Sequence, residues 1–203
     1  MKIRITILLV FILNIGFAQK SELFHIDSLP TKGVLLDKAW KYQAGDNPDW
    51  AKPDFDDSAW ESIDPTKDIM DLPQIQDGKI GWMRLRLKID SSLMPLPLAL
   101  RISQVIASEI YVDGRLIERF GKLDSTQIKG IFTGLGFSIG LPKRSANIVI
   151  AIRFALQKSI PYNQFGSCEN NCFRASLVPI KQIGARTNIT LNIMFFGIKA
   201  GSF

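Results

Sequence analysis

The residues of this chain best suited to chemistry stand in one run, PDFDDSAW, from Pro53 to Trp60. It places three carboxylates, Asp54, Asp56 and Asp57, within four residues and closes on an aromatic. General acid/base hydrolysis needs two carboxylates held across a substrate, in environments that drive their pKa values apart. These three share one short, mostly polar segment between strands, which does not hold two carboxylates apart across a substrate. Asp and Ser side chains in such a run accept hydrogen bonds from nearby backbone N–H groups and build turns. Asp56, Asp57 and Ser58 therefore read as a structural turn, and Trp60 as the large anchor that packs it onto the fold. No catalytic residue is assigned.

Three other residues are candidate ligand contacts. Arg84 and Arg86 repeat along one face of a strand, with Lys88 beyond them. Arginine suits bidentate contact with an acidic or sugar ligand, although the same pattern also describes a solvated sheet face. Trp50, in the loop Asn47-Pro-Asp-Trp50, either stacks on a sugar ring or packs over an edge. Cys168 and Cys172 are close in sequence; in an oxidising compartment they form a disulfide closing a small loop, or else remain two free thiols. A metal site needs more ligands, and the single histidine, His25, lies far from both. The glycine-rich run GIFTGLGFSIG, Gly130 to Gly140, does not join a strand to a helix, so it is no phosphate loop. No cofactor is implied.

The elements that must position these residues are strands. From Trp82 to Asp90, Met83, Leu85, Leu87 and Ile89 alternate with Arg84, Arg86, Lys88 and Asp90, a period of two that predicts a strand with one buried face. Leu98, Leu100 and Ile102 alternate likewise, as do Ile148, Ile150, Ile152 and Phe154. Asp113-Gly114 separates two apolar runs and predicts a hairpin. Trp40 and Tyr42 share one strand face, and Ser176 to Ile180 suggests a final strand. No helix-period segment of useful length precedes residue 180. Many short strands with Gly/Pro turns predict an all-β sandwich.

The ends read differently. Residues 1–18 combine Lys2 and Arg4, an apolar run from Ile5 to Ile15, and the small residues Gly16 and Ala18. That is a secretory signal peptide cut before Gln19; the rival reading is an uncleaved anchor, for which the apolar run is short of the ~20 residues a span needs. Its loss lowers the net charge of +6 by two. The remaining charges are interspersed without a basic run, which excludes nucleic acid as a partner. The expected organisation is a signal peptide over 1–18, a polar leader over 19–32, a β-sandwich over 33–183, and a linker with an apolar segment over 184–203. That last segment reads as the start of a truncated membrane helix.

Taken in order, Trp40-Lys-Tyr42, Pro53-Asp-Phe-Asp-Asp-Ser-Ala-Trp60, Gly81-Trp-Met-Arg84, Ile110-Tyr-Val-Asp-Gly114 and Asn147-Ile-Val-Ile150 resemble a known series. It is that of the galactose-binding-like β-sandwich, or jelly roll, found as the N-terminal sugar-binding domain of family 2 glycoside hydrolases. The chain also resembles the extracytoplasmic N-terminal domain of bacterial sensor histidine kinases and of seven-transmembrane receptors with diverse intracellular signalling modules. The likeness covers roughly residues 33–203. It implies a non-catalytic, periplasmic ligand-sensing domain, membrane-anchored through helices that would follow residue 203. Its partner would be a small molecule or carbohydrate. The alternative is a carbohydrate-binding accessory domain of a family 2 hydrolase, or a free secreted sugar-binding module. In the hydrolases catalysis belongs to a following barrel of about 250 residues, for which this chain has no room.

Overall fold

The computed structural model describes residues 22–76, 78–124, 127–133, 136–158 and 173–180. In chain order its strands are β1 (Phe24–Ile26), β2 (Val34–Leu35), β3 (Trp40–Ala44), β4 (Glu61–Ile63), β5 (Ile80–Ile89), β6 (Leu98–Ser103) and β7 (Ala107–Val112). They continue with β8 (Arg115–Phe120), β9 (Lys122–Leu123), β10 (Ile128–Lys129), β11 (Phe137–Gly140), β12 (Asn147–Ala155) and β13 (Arg174–Pro179). The signal peptide, Cys168, Cys172 and the apolar tail lie outside the described residues.

Two sheets form the sandwich read from the sequence. The larger runs β4-β3-β5-β12-β7-β8, with β1 pairing in parallel against the far half of β5. The smaller runs β11-β6-β13-β2, and β9 with β10 makes a separate ribbon. Residues 24–26, read from the sequence as part of a polar leader, thus contribute a strand. The three-residue alternation Phe24-His25-Ile26 buries Phe24 and Ile26 and exposes His25.

The core lies between the sheets, and period two builds it. Met83, Leu85 and Leu87 of β5 face it together with Ile148, Ile150 and Ile152 of β12, Ile110 of β7, and Trp40 and Tyr42 of β3. From the other sheet come Leu98, Leu100, Ile102, Ala175 and Leu177. Each such large apolar side chain contributes roughly 1.5–3 kcal/mol when removed from water. The hairpin β7–β8 turns at Asp113 (φ 48°) and Gly114 (φ 77°). Two consecutive positive φ values give the type I′ geometry whose twist matches flanking antiparallel strands. The Asp113 carboxylate also accepts from the Val149 N–H at 2.9 Å, tying the turn to β12.

One expectation is corrected. β5 does not have a single buried face: Trp82 and Arg84, both on the side away from the core, are 0% exposed. Something covers that side.

Candidate functional site

The cover is the segment that contains PDFDDSAW. After β3 the chain turns at Gly45 and Asp46, forms a short 3-10 turn at Pro48–Ala51, and crosses the outer face of the larger sheet before β4. The 3-10 turn starts where it does because Asn47 caps it: its side-chain oxygen accepts from the Asp49 N–H at 3.0 Å, with Pro48 at the first position. Further on, the Asp56 carboxylate accepts from the Ser58 N–H at 3.0 Å, and the Trp60 N–H donates to the Asp57 carbonyl at 3.1 Å. These bonds close the turn and aim Trp60 at the sheet.

Under this roof lies a second small core. Trp60, Trp82, Ala51 and Ala151 are buried together, with Trp50, Phe55, Ile80 and Tyr111 packed against them. Ring centroids of Trp50 and Trp60 are 5.1 Å apart at 73°, and those of Trp82 and Tyr111 are 5.4 Å apart. Both distances suit favourable aromatic contact.

Asp57 pins the roof. It is 1% exposed, and its two oxygens accept from different arginines: Oδ2 from Arg84 Nε at 2.8 Å and Oδ1 from Arg86 Nε at 3.1 Å. Arg84 also donates to the carbonyls of Trp50 and Phe55, and its guanidinium sits 5.5 Å from the Phe55 ring centroid and 5.9 Å from that of Trp60. Arg86 donates to the Pro53 and Phe55 carbonyls. Burial pulls Arg84 below the ordinary arginine value, and the Asp57 carboxylate opposes that pull; guanidinium remains charged throughout the physiological range. Arg84 therefore does not stand on a solvated face. Trp50, Arg84 and Arg86, the three candidate ligand contacts, are gathered under the roof with Asp57 and Trp60, and both guanidinium groups are engaged internally.

A second ionic group holds the roof's other end. Arg153 of β12 donates from Nε and Nη2 to the two oxygens of Asp46, at 2.7 and 2.6 Å. It also donates to Glu109 at 3.4 Å, while the Tyr111 hydroxyl donates to the same carboxylate at 2.8 Å. Arg153 holds Asp46 below the usual carboxylate range. Burial, then the hydrogen bond to Glu109, pushes the Tyr111 phenol up to about 12. Sequence reasoning missed Asp46, Glu109 and Arg153. Alternation places Glu109 and Arg153 on an outer face, but only strand register sets them side by side.

Beside Asp46, between the end of β3 and the loop leading into β5, opens a cleft of about 350 Å³ lined by Tyr42, Gly45, Asp46, Gln74, Gln76 and Lys79 among others. Among the described residues no three His, Cys, Asp or Glu side chains converge as a metal-ligand set, and no helix is long and apolar enough to cross a membrane.

Comparison with solved structures finds similar ones. A beta-glucuronidase of Bacteroides uniformis matches 71% of this chain with a TM-score of 0.50 and 18% identity. A beta-glycosidase from Bacteroides vulgatus matches 71% at a TM-score of 0.49 and 14% identity. A glycosyl hydrolase family 2 member from Bacteroides cellulosilyticus DSM 14838 matches 70% at 0.48 and 19% identity. The match covers 18%, 20% and 20% of those chains respectively, so this chain corresponds to about a fifth of each enzyme. At such identity the first of these likenesses shows a common fold. No family profile matches the chain, and no curated protein matches it.

Proposed function

We propose that this chain is a non-catalytic, carbohydrate-binding β-sandwich of the accessory kind that accompanies a glycoside hydrolase, working outside the cytoplasm after export by the segment 1–18. The observation that carries the reading is the shared fold: most of this chain, and less than a fifth of the Bacteroides uniformis beta-glucuronidase, superpose as one sandwich. The roof geometry supports the non-catalytic part. Asp57 is held by two arginines and Asp56 caps its own turn, an arrangement that fixes a fold rather than one that shuttles protons.

The test titrates the full chain with a panel of mono- and oligosaccharides by calorimetry and incubates it with aryl glycosides. Binding without turnover is the expected result. Absence of binding across the panel overturns the carbohydrate reading. Turnover that disappears in Asp56→Asn overturns the non-catalytic one.

A second reading, the input domain of a membrane signalling protein, is favoured by the apolar runs near both ends of the sequence, Ile5 to Ile15 and Ile193 to Ile198. Ligand binding would then have to discriminate two states of an adjacent membrane helix. Coding DNA beyond the Phe203 codon decides between the two: several apolar helices support the sensor, and a soluble barrel supports the accessory module.

A further inference from the structure

We propose that Phe132 is the platform on which this sandwich stacks a sugar ring, and that the ligand is a neutral, β-linked chain of glucose- or xylose-type units. This inference rests on the carbohydrate-binding reading and adds the contact residue and the class of sugar.

Phe132 stands in the glycine-rich run, between β10 and β11. The chain there is clamped on both sides of it. The Ile131 N–H donates to the Ile106 carbonyl at 3.4 Å, and the Thr133 N–H to that of Gln104 at 3.0 Å. The Thr133 hydroxyl accepts from the Gln104 N–H at 2.9 Å and donates to the Ile102 carbonyl at 3.2 Å. Gly130 lets the run press onto the turn between β6 and β7, since a Cβ there would sit 2.6 Å from the Val105 carbonyl oxygen. Its N–H donates to Gln157 Oε1 at 3.0 Å. The floor of the clamp is fixed in turn: Gln104 is 1% exposed and accepts the Ser108 hydroxyl at 2.8 Å. A side chain carried on backbone held in this way loses little freedom when a ligand settles on it.

What the clamp holds up is an open ring. Phe132 is 57% exposed and Ile131 beside it 47%, the two highest values for large apolar side chains among the described residues. Every other aromatic ring among the described residues is buried or partly buried. Trp50, the stacking candidate in the sequence, packs against Trp60 instead. The chemistry of an exposed ring then selects the sugar. A pyranose whose hydroxyls and linkages are all equatorial points its C–H bonds along the axis and so presents an apolar face about the size of a phenyl ring. Laying that face on Phe132 takes both surfaces out of water. β-Linked glucose and xylose units have this form and repeat it along the chain, so each unit offers the ring another place to stack. The contact calls on no charge.

The experiment measures binding of β-1,4-linked glucose and xylose hexasaccharides, and of a hexuronic-acid chain of the same length, to the full 203-residue chain by calorimetry. The neutral chains are expected to bind more tightly than the acidic one. Phe132→Ala is expected to weaken them about tenfold, the loss that follows from leaving such a ring uncovered. Phe132→Leu, apolar but without a flat face, should weaken them too, whereas Phe132→Trp should hold or tighten them. Leu96→Ala, an exposed apolar residue at the other end of β6, should change nothing. Circular dichroism checks that each variant is folded. Sugar binding that Phe132→Ala leaves unchanged overturns this site and leaves the carbohydrate reading standing. Tighter binding of the acidic chain overturns the ligand class. Binding of no sugar overturns the carbohydrate reading and this inference together; phosphatidylglycerol vesicles bound only with Phe132 in place would then assign the residue to a lipid surface.

Discussion

Asp57→Ala tests the central structural argument, that one carboxylate holds the roof to the sheet. The substitution removes an acceptor that is 1% exposed and strands the fully buried Arg84 guanidinium, while the Arg86 side chain, 24% exposed, can turn toward water. Removing one partner of a buried ion pair costs about 3–5 kcal/mol, because the remaining charge is left uncompensated. Two of Arg84's acceptors, the Trp50 and Phe55 carbonyls, belong to the roof itself, so they offset the loss only while the roof stays closed. The expected cost is therefore about 3–4 kcal/mol, a large share of the roughly 5–15 kcal/mol that holds a domain together. At about 2–4 °C per kcal/mol for a chain of this size, the melting temperature falls by roughly 10 °C. Urea titration followed by tryptophan fluorescence reads both cost and place: Trp50, Trp60 and Trp82 belong to the roof cluster, whereas Trp40 belongs to the main core. The double variant Asp57→Leu/Arg84→Met removes both charges and is expected to recover much of the loss. A cost under about 1 kcal/mol for Asp57→Ala, with unchanged tryptophan emission, would refute the argument, as would a double variant no more stable than the single one.

Three further outcomes are expected. Asp46 is held below its usual range by Arg153, so its stabilising contribution is complete above the unfolded carboxylate value of about 3.9 and is lost as pH falls through the lower folded value. Melting curves of Asp46→Asn should thus lie below wild type at pH 7 and converge with it in strong acid. Tyr111, pushed up to about 12, should stay protonated at pH 10, and Tyr111→Phe should remove one late-ionising phenol from an ultraviolet titration while leaving that of Tyr42, which burial also raises. Since the folded value is the raised one, this group's contribution is complete below about pH 10 and disappears as pH rises through about 12. Gly114→Ala forces a side chain into the left-handed region at φ 77° and should cost about 1–2 kcal/mol by denaturant titration, with the fold kept.

The sheets were legible along the chain because period-two alternation is a local property. Met83, Leu85, Leu87 and Ile89, or Ile148 through Phe154, declare a buried face with no knowledge of their partners. The Asp113-Gly114 hairpin was legible for the same reason, since positive φ at two adjacent residues is a demand of the turn itself. Trp40 and Tyr42 were readable as one strand face, whereas the Asp57 side chain, read as part of a turn, is engaged by Arg84 and Arg86.

What lay beyond reach was every relation across long sequence separation. Arg84 looks like a solvent-facing residue because its neighbours Met83 and Leu85 face the core; only the crossing of residues 46–60 over that face buries it against Asp57, 27 residues earlier. Asp46 and Arg153, 107 residues apart, meet because β3, β5 and β12 are adjacent in that order, a register no local pattern encodes. Phe24 and Ile26 escaped notice because three residues are too few to show a period. The cleft exists only as the gap between the end of β3 and a loop some 30 residues later, where Tyr42 meets Gln74. Composition and alternation thus determined an all-β sandwich with its Asp113-Gly114 hairpin, since those follow from backbone geometry and side-chain polarity over a few residues. Tertiary structure decided which polar residues are buried locks and which stay exposed, since desolvation and ion pairing depend on what the rest of the chain brings alongside.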